Sequence, residues 1–299
     1  RTVRGPRGAG VAVKVANGGK GGAGKATIQA SMARQSRRDG ERVFAIGAEP
    51  NANMARSLGC SREEAEGITP ITEMTGLIRE RTGVEPGSMG AYFTLNPRVD
   101  DLPDRFRRER EGVMFLQVGA MKEPSAGCYC PENALLKSLL MHLVLQRDET
   151  VILDMEAGFE HLTRGTAQAF DAMVIVVEPS VQSVLTAGRI HALADKTGLK
   201  NVFYVGNMIR DDDDRDFIAR ESQGRSVIGY VSYSEEVRSA IRRGLAPFDA
   251  SPNLVTEVRE LWDALVRLTH SAQCSCSLYR PARSTGLSSH AALRARQRV

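Results

Sequence analysis

Short apolar runs recur along the chain, and longer stretches that mix apolar and polar positions at helical spacing separate them. Val11–Ala16, Arg42–Ile46, Gly112–Val118, Thr150–Asp154, Ala172–Val177, Val202–Gly206 and Ser226–Tyr230 predict strands. Several of these runs are apolar almost throughout, as strands covered on both faces must be. Between them, Lys25–Arg38, Ala134–Gln146 and residues 254–271, which include Trp262, predict helices. Strands alternating with helices imply an α/β fold with a mostly parallel sheet between two helical layers. Residues 60–110 are rich in Gly, Pro and charge and are expected to form an irregular surface insertion. No internal repeat is visible.

Composition narrows this picture modestly. The 299 residues are 42% apolar and 25% charged, which suits a soluble chain with one large domain. No run approaches the roughly 18 apolar residues of a membrane span, and no signal-peptide core is present, so a cytoplasmic protein is expected. The net charge of +4 is unevenly placed. Residues 1–10 carry three Arg and residues 272–299 carry five, neither with an acid. The expected organisation is a basic extension over 1–10, one large domain over 11–271 and a basic tail over 272–299. Such a tail could meet nucleic acid or an anionic surface. Its low aromatic content and lack of a clear amphipathic face favour plain disorder, and nucleic acid is not the expected partner.

The chemistry begins at Gly19-Lys20-Gly21-Gly22-Ala23-Gly24-Lys25-Ala26-Thr27, between the first strand and the first helix. Glycines there let backbone N–H groups turn inward around phosphate oxygens. The helix N-terminus adds partial positive charge, and Lys25 would reach the β- and γ-phosphates. The G-x-x-x-x-G-K spacing therefore predicts a P-loop that binds ATP or ADP, in a P-loop NTPase three-layer sandwich. Ala26 stands where a Ser or Thr hydroxyl would ligate Mg²⁺. Thr27 does not replace it simply, because one helical step rotates a side chain by about 100°. Mg²⁺ binding is expected to be weakened, which leaves hydrolysis open.

Lys20 stands at the front of the loop, on the wrong side to reach its own γ-phosphate. Such a lysine resembles the deviant P-loop of the nitrogenase iron protein and of the septum-site and partition ATPases. In that class, the resemblance implies, the lysine reaches the nucleotide of a partner subunit. A cation delivered in trans stabilises phosphoryl-transfer charge only once the dimer has closed. A solvated lysine in a flexible loop is the alternative.

Three further positions complete the candidate nucleotide site. Asp154 ends an apolar strand and fits a Walker B aspartate in the Mg²⁺ shell, or a helix N-cap. Gly158 would let a backbone N–H approach the γ-phosphate, making its segment a switch that senses hydrolysis. Asn207 follows a late strand, where its amide could read an adenine edge or close an Asx turn.

Five cysteines are present, and four of them form two C-x-C pairs. Cys128 and Cys130 lie between a strand and an apolar helix. Two thiolates cannot close a tetrahedral site alone, but two copies across a two-fold axis supply four. Zn²⁺, Ni²⁺ or an iron–sulfur cluster suits such a set. The same spacing also fits two buried structural cysteines. Cys274 and Cys276 fall in the tail and are expected to be incidental.

Taken together, these motifs resemble the carbon monoxide dehydrogenase nickel-insertion accessory ATPases. The likeness rests on Gly19–Lys25, Pro50-Asn-Ala-Asn53, Phe93-x-Leu-Asn-Pro97 and Gly127-Cys-x-Cys-Pro-Glu-Asn-Ala-Leu-Leu-Lys137. It continues through Asp154-Met-Glu-Ala-Gly158, Val177-Glu-Pro-Ser180 and Val205-Gly-Asn207. It implies a nucleotide-gated homodimer with metal on Cys128 and Cys130 and carbon monoxide dehydrogenase as client. It also implies that Glu49 takes the place of an acidic residue that orients the attacking water, one methylene longer than usual. Aspartates common in relatives are missing at Gly47 and Asn51.

Overall fold

The structure is a computed structural model that describes residues 12–86, 92–120, 131–155 and 164–277. Among these, eight strands form one sheet in the order β3-β4-β2-β5-β1-β6-β7-β8. They are β1 Lys14–Gly19, β2 Val43–Ala48, β3 Arg108–Arg110, β4 Val113–Gln117, β5 Thr150–Met155, β6 Ala172–Val177, β7 Val202–Ile209 and β8 Val227–Ser232. All neighbours are parallel except the β3–β4 pair at one edge. The helices are α1 Lys25–Arg38, α2 Asn53–Ser57, α3 Arg62–Glu66, α4 Thr75–Thr82, α5 Leu102–Phe106 and α6 Pro131–Leu145. They continue with α7 Arg164–Gln168, α8 Val181–Thr197, α9 Asp212–Glu221, α10 Glu235–Arg242, α11 Pro247–Ala250 and α12 Pro252–Ser277.

Alternate residues of each central strand feed opposite cores. Phe44, Ile46, Leu153 and Ile175 face a cluster completed by the leucines of α6 and by Ile190 of α8. Val15, Ile152, Val174 and Val205 face the other, completed by Ile28 and Met32 of α1 and by Leu261, Trp262 and Leu265 of α12. Both sheet faces are thus sealed by helices, the three-layer arrangement expected of these apolar strands.

Four differences from the sequence expectations matter. β1 runs three residues further, into the glycines, because Gly18 and Gly19 carry no side chain to stop it. A Cβ on Gly18 would come within 2.9 Å of Met173 Cε, and Gly19, at φ 145, leaves none of the room a side chain needs beside Val176. The 60–110 segment is not merely surface: Ile71, Ile78 and Leu102 are buried in the main core. The antiparallel edge strand β3 is charged and short, so it carries no apolar signal. Finally, α12 continues to Ser277, past residue 271. The backbone of Cys274 and Cys276 is therefore helical, since Ser, Gln and Cys do not stop a helix that packing has already nucleated.

Candidate functional site

The loop from Lys20 to Gly24 closes between the C-terminal end of β1 and the start of α1, with the Ala23 N–H donating to Lys20 O at 3.2 Å. β1 lies mid-sheet, and the strand order turns there, which places the loop at the topological switch point of an open α/β sheet. Gly24 adopts φ 88, and a Cβ there would collide with Asn207 Nδ2. That amide instead donates to Ala23 O at 2.7 Å. Asn207 therefore ties β7 to the loop. That bond uses one of the two amide N–H groups, leaving the other and Oδ1.

Lys25 is buried, with Nζ 3.4 Å from Glu49 Oε1. Glu49 directly follows β2 and is fixed twice more. Its Oε2 accepts from Asn53 Nδ2 at 3.0 Å, and its carbonyl accepts from Gln117 Nε2 at 2.6 Å. Gln117 fills the space that a side chain at Gly47 would need, which accounts for the missing aspartate there. Asp154 is buried, with Oδ1 accepting from Gln29 Nε2 at 2.9 Å. Burial, then the Glu49 charge, pushes the Asp154 carboxyl up to about 7, against the pull of Lys25 and Gln29.

Two carboxylates next to one lysine form an oxygen donor set suited to a hard cation. Mg²⁺ commonly takes one or two carboxylates together with substrate phosphates. Asp154 and Glu49 fit that role, although Ala26 contributes no oxygen.

The two loop lysines diverge. Lys25 pairs on the β2 side of β1, whereas Lys20 turns to the β6 side. Lys20 Nζ lies 2.8 Å from Glu178 Oε1, an oxygen that also accepts from Ser180 Oγ at 3.2 Å. Lys20 keeps 38% of its side chain exposed, whereas Lys25 keeps 7%. A cleft of about 520 Å³ opens over the loop from Gly21 to Thr27, including Gly22 and Ala26. Its lining includes the polar Glu49, Asn51 and Arg56 and the apolar Met208, Ile241 and Leu245, which suit a base.

Cys128, Cys130 and Gly158 lie outside the described residues. In sequence the cysteine pair follows β4, a strand parallel to β1 whose C-terminal end lies at the same end of the sheet as that of β1. Cys60 is buried, and burial, with Glu64 close by, pushes its thiol up, as in an inert structural cysteine. Among the described residues no cluster of three His, Cys, Asp or Glu side chains could hold a metal, and no helix is long and apolar enough to cross a membrane. Gln29, Gln117 and Glu178 were not singled out in the sequence. Each acts through a contact more than 65 positions away along the chain, which local spacing does not reveal.

Comparison with known proteins agrees with this geometry. A profile of the CobQ/CobB/MinD/ParA nucleotide binding domain matches residues 14–248. The carbon monoxide dehydrogenase accessory protein CooC of Rhodospirillum rubrum is 40% identical over 254 residues, 85% of this chain and 96% of that protein. An uncharacterised ATP-binding protein of Methanocaldococcus jannaschii is 37% identical, covering 87% of this chain and 100% of its own length. Among solved structures, the MinD cell division protein of Aquifex aeolicus superposes with a TM-score of 0.60 at 17% identity, over 86% of this chain and 97% of that one. That likeness speaks for the fold. The chain belongs to the CobQ/CobB/MinD/ParA family of nucleotide-binding P-loop proteins, with CooC among its relatives.

Proposed function

We propose that the chain is a nucleotide-gated homodimeric ATPase that assists nickel insertion into carbon monoxide dehydrogenase. The divergence of the two loop lysines carries the reading. Lys25 serves the phosphates of its own cleft, while Lys20 stands at the rim, held by an acid, free to be handed to a second copy. Val181 and Leu185, one turn apart on α8 beside Glu178, are exposed and offer that copy an apolar contact. The 40% identity to CooC supplies the client.

In this mechanism ATP fills the cleft, and loop amides with Lys25 grip its β- and γ-phosphates. Asp154 would hold Mg²⁺, which would supply charge neutralisation at the phosphates. Glu49 orients the attacking water, and Gly158 senses the γ-phosphate. Lys20 leaves Glu178 for the partner's nucleotide, and closure unites two Cys128–Cys130 pairs around Zn²⁺ or Ni²⁺. Ala26 favours a second reading, a nucleotide-dependent metal-binding protein with weak or lost hydrolysis.

The test measures mass and metal content with ATP, with ADP and without nucleotide. Wild type is expected to dimerise with ATP and to hold one metal per dimer. Lys20→Ala should bind ATP yet stay monomeric, and Cys128→Ala/Cys130→Ala should lose the metal. A metal load that survives loss of both thiols, or dimers indifferent to nucleotide, would overturn the proposal. Slow MgATP turnover with dimerisation intact would select the second reading.

A further inference from the structure

Ala26 and Gln29 are three positions apart on α1, so they share one face of the helix. Helical side chains lean toward the N-terminus. A long amide at 29 therefore reaches back toward the space that a hydroxyl at 26 would have occupied. Gln29 does this: it is fully buried, and its Nε2 holds Asp154 Oδ1 at 2.9 Å. Its other polar atom, Oε1, is buried with no hydrogen-bond partner. Beside it, Asn17 of β1 sits opposite Asp154 in the parallel ladder, and both atoms of its buried amide are also unpartnered.

Unpartnered buried amides are costly and uncommon. Three such atoms near one carboxylate, on the strand that leads into the phosphate loop and on the helix that follows it, form a polar cluster that packing alone does not explain. An oxygen-rich shell around a hydrated divalent cation matches its chemistry.

We propose that Gln29 takes over the task of the missing hydroxyl at position 26. As a positioning residue it fixes Asp154 through Nε2, and it turns Oε1 toward the hydration shell of the nucleotide-bound cation. Asn17 flanks Asp154 from the neighbouring strand. The chain thus keeps cation binding without the usual P-loop Ser or Thr, through a side chain one turn deeper. This inference rests on the nucleotide-site reading above and concerns its metal half.

The test is a double-mutant cycle with Gln29→Leu, Ala26→Thr and the two combined. Mn²⁺, read by electron paramagnetic resonance, is titrated into protein saturated with ADP, and ADP affinity is measured separately in EDTA. Gln29→Leu keeps the side chain's bulk and should raise the Mn²⁺ half-saturation by about tenfold, the worth of one hydrogen bond to a charged group. Its ADP affinity in EDTA should stay within about twofold, whereas a merely structural defect would lower both. Ala26→Thr should restore metal binding in the Gln29→Leu background, yet change wild type by less than about threefold. Additive effects, or an unchanged Mn²⁺ midpoint in Gln29→Leu, would overturn the proposal. If Gln29→Leu does not fold, Ala26→Thr alone decides: a tenfold gain in metal affinity in that single variant rejects the role of Gln29, and little change supports it. Wild type that binds no ADP would instead overturn the nucleotide reading beneath it.

Discussion

Glu149 sits just ahead of β5, at the sheet end opposite the phosphate loop, and is the charge most fully enclosed there. Its side chain is 2% exposed and pairs with Arg147 and, at 2.7 Å, with Arg42. Lys14 at the start of β1 donates to the carbonyls of Arg147 and Glu149, so the starts of β1, β2 and β5 meet at one ionic knot. Burial alone would raise the Glu149 carboxyl, but the Arg147 hydrogen bond and the nearby charges outweigh it. The group lies below its usual 4.5. A carboxyl depressed in the folded state contributes stability above its unfolded value, and that stability fades as pH falls through the folded one. Glu149→Gln should cost about 1–3 kcal/mol at pH 7 in urea unfolding, less than a fully buried pair because Arg42 is exposed. The cost should persist at pH 5 and shrink below about 4.5. A pH-independent penalty would show that packing, not charge, dominates.

At the scale of elements, the junction of β6 with α8 decides what Lys20 can do. Glu178 is braced there by Ser180 Oγ and by its own N–H donating to Ser183 Oγ at 3.1 Å. A half-exposed ion pair of this kind is worth about 0.2–1 kcal/mol. Glu178→Gln should therefore leave the unfolding midpoint nearly unchanged while releasing Lys20. If the pair holds the lysine back, the proposed ATP-dependent dimer, measured by sedimentation, should tighten about two- to fivefold. Weaker dimers would mean that Glu178 itself serves the interface. Elements of this region were largely legible beforehand. β6 coincides with the apolar run 172–177, and α1 with 25–38, because parallel strands and capped helices write strong local patterns. Lys25 and Asp154 stand at the ends of patterned elements and could be singled out for the same reason, whereas Glu49 was reached only through the family resemblance. The Glu178 contact was not, because a salt bridge across 158 positions leaves no trace in spacing. The 60–110 segment misled for a related reason: its isolated apolar residues, Ile71, Ile78 and Leu102, are too sparse to show a period yet pack into the core.

The whole molecule separates what holds it together from what binds. The site lies on loops at the C-terminal end of the central strands, while the layer that seals the α1 face depends on α12 and on Trp262, the chain's single tryptophan. Trp262 is 3% exposed and packs with Leu254, Val258 and Leu265, so its fluorescence reports global unfolding. Ligand that binds only the folded state stabilises it by about 2.7 kcal/mol at a hundredfold excess over Kd. For a domain of this size that is a rise of roughly 5 °C in the thermal midpoint. ADP with Mg²⁺ should produce this rise in wild type, and EDTA should reduce it by whatever share the cation carries. Trp262→Ala, followed by circular dichroism, should lower the starting midpoint steeply, as loss of about 3–5 kcal/mol of packing demands, yet keep the ADP-induced rise. Lys25→Ala should do the reverse, abolishing the rise with a far smaller change in the starting midpoint. If both variants lost the rise equally, the cleft would depend on the α12 layer for its shape, and the separation of scaffold from site would fail.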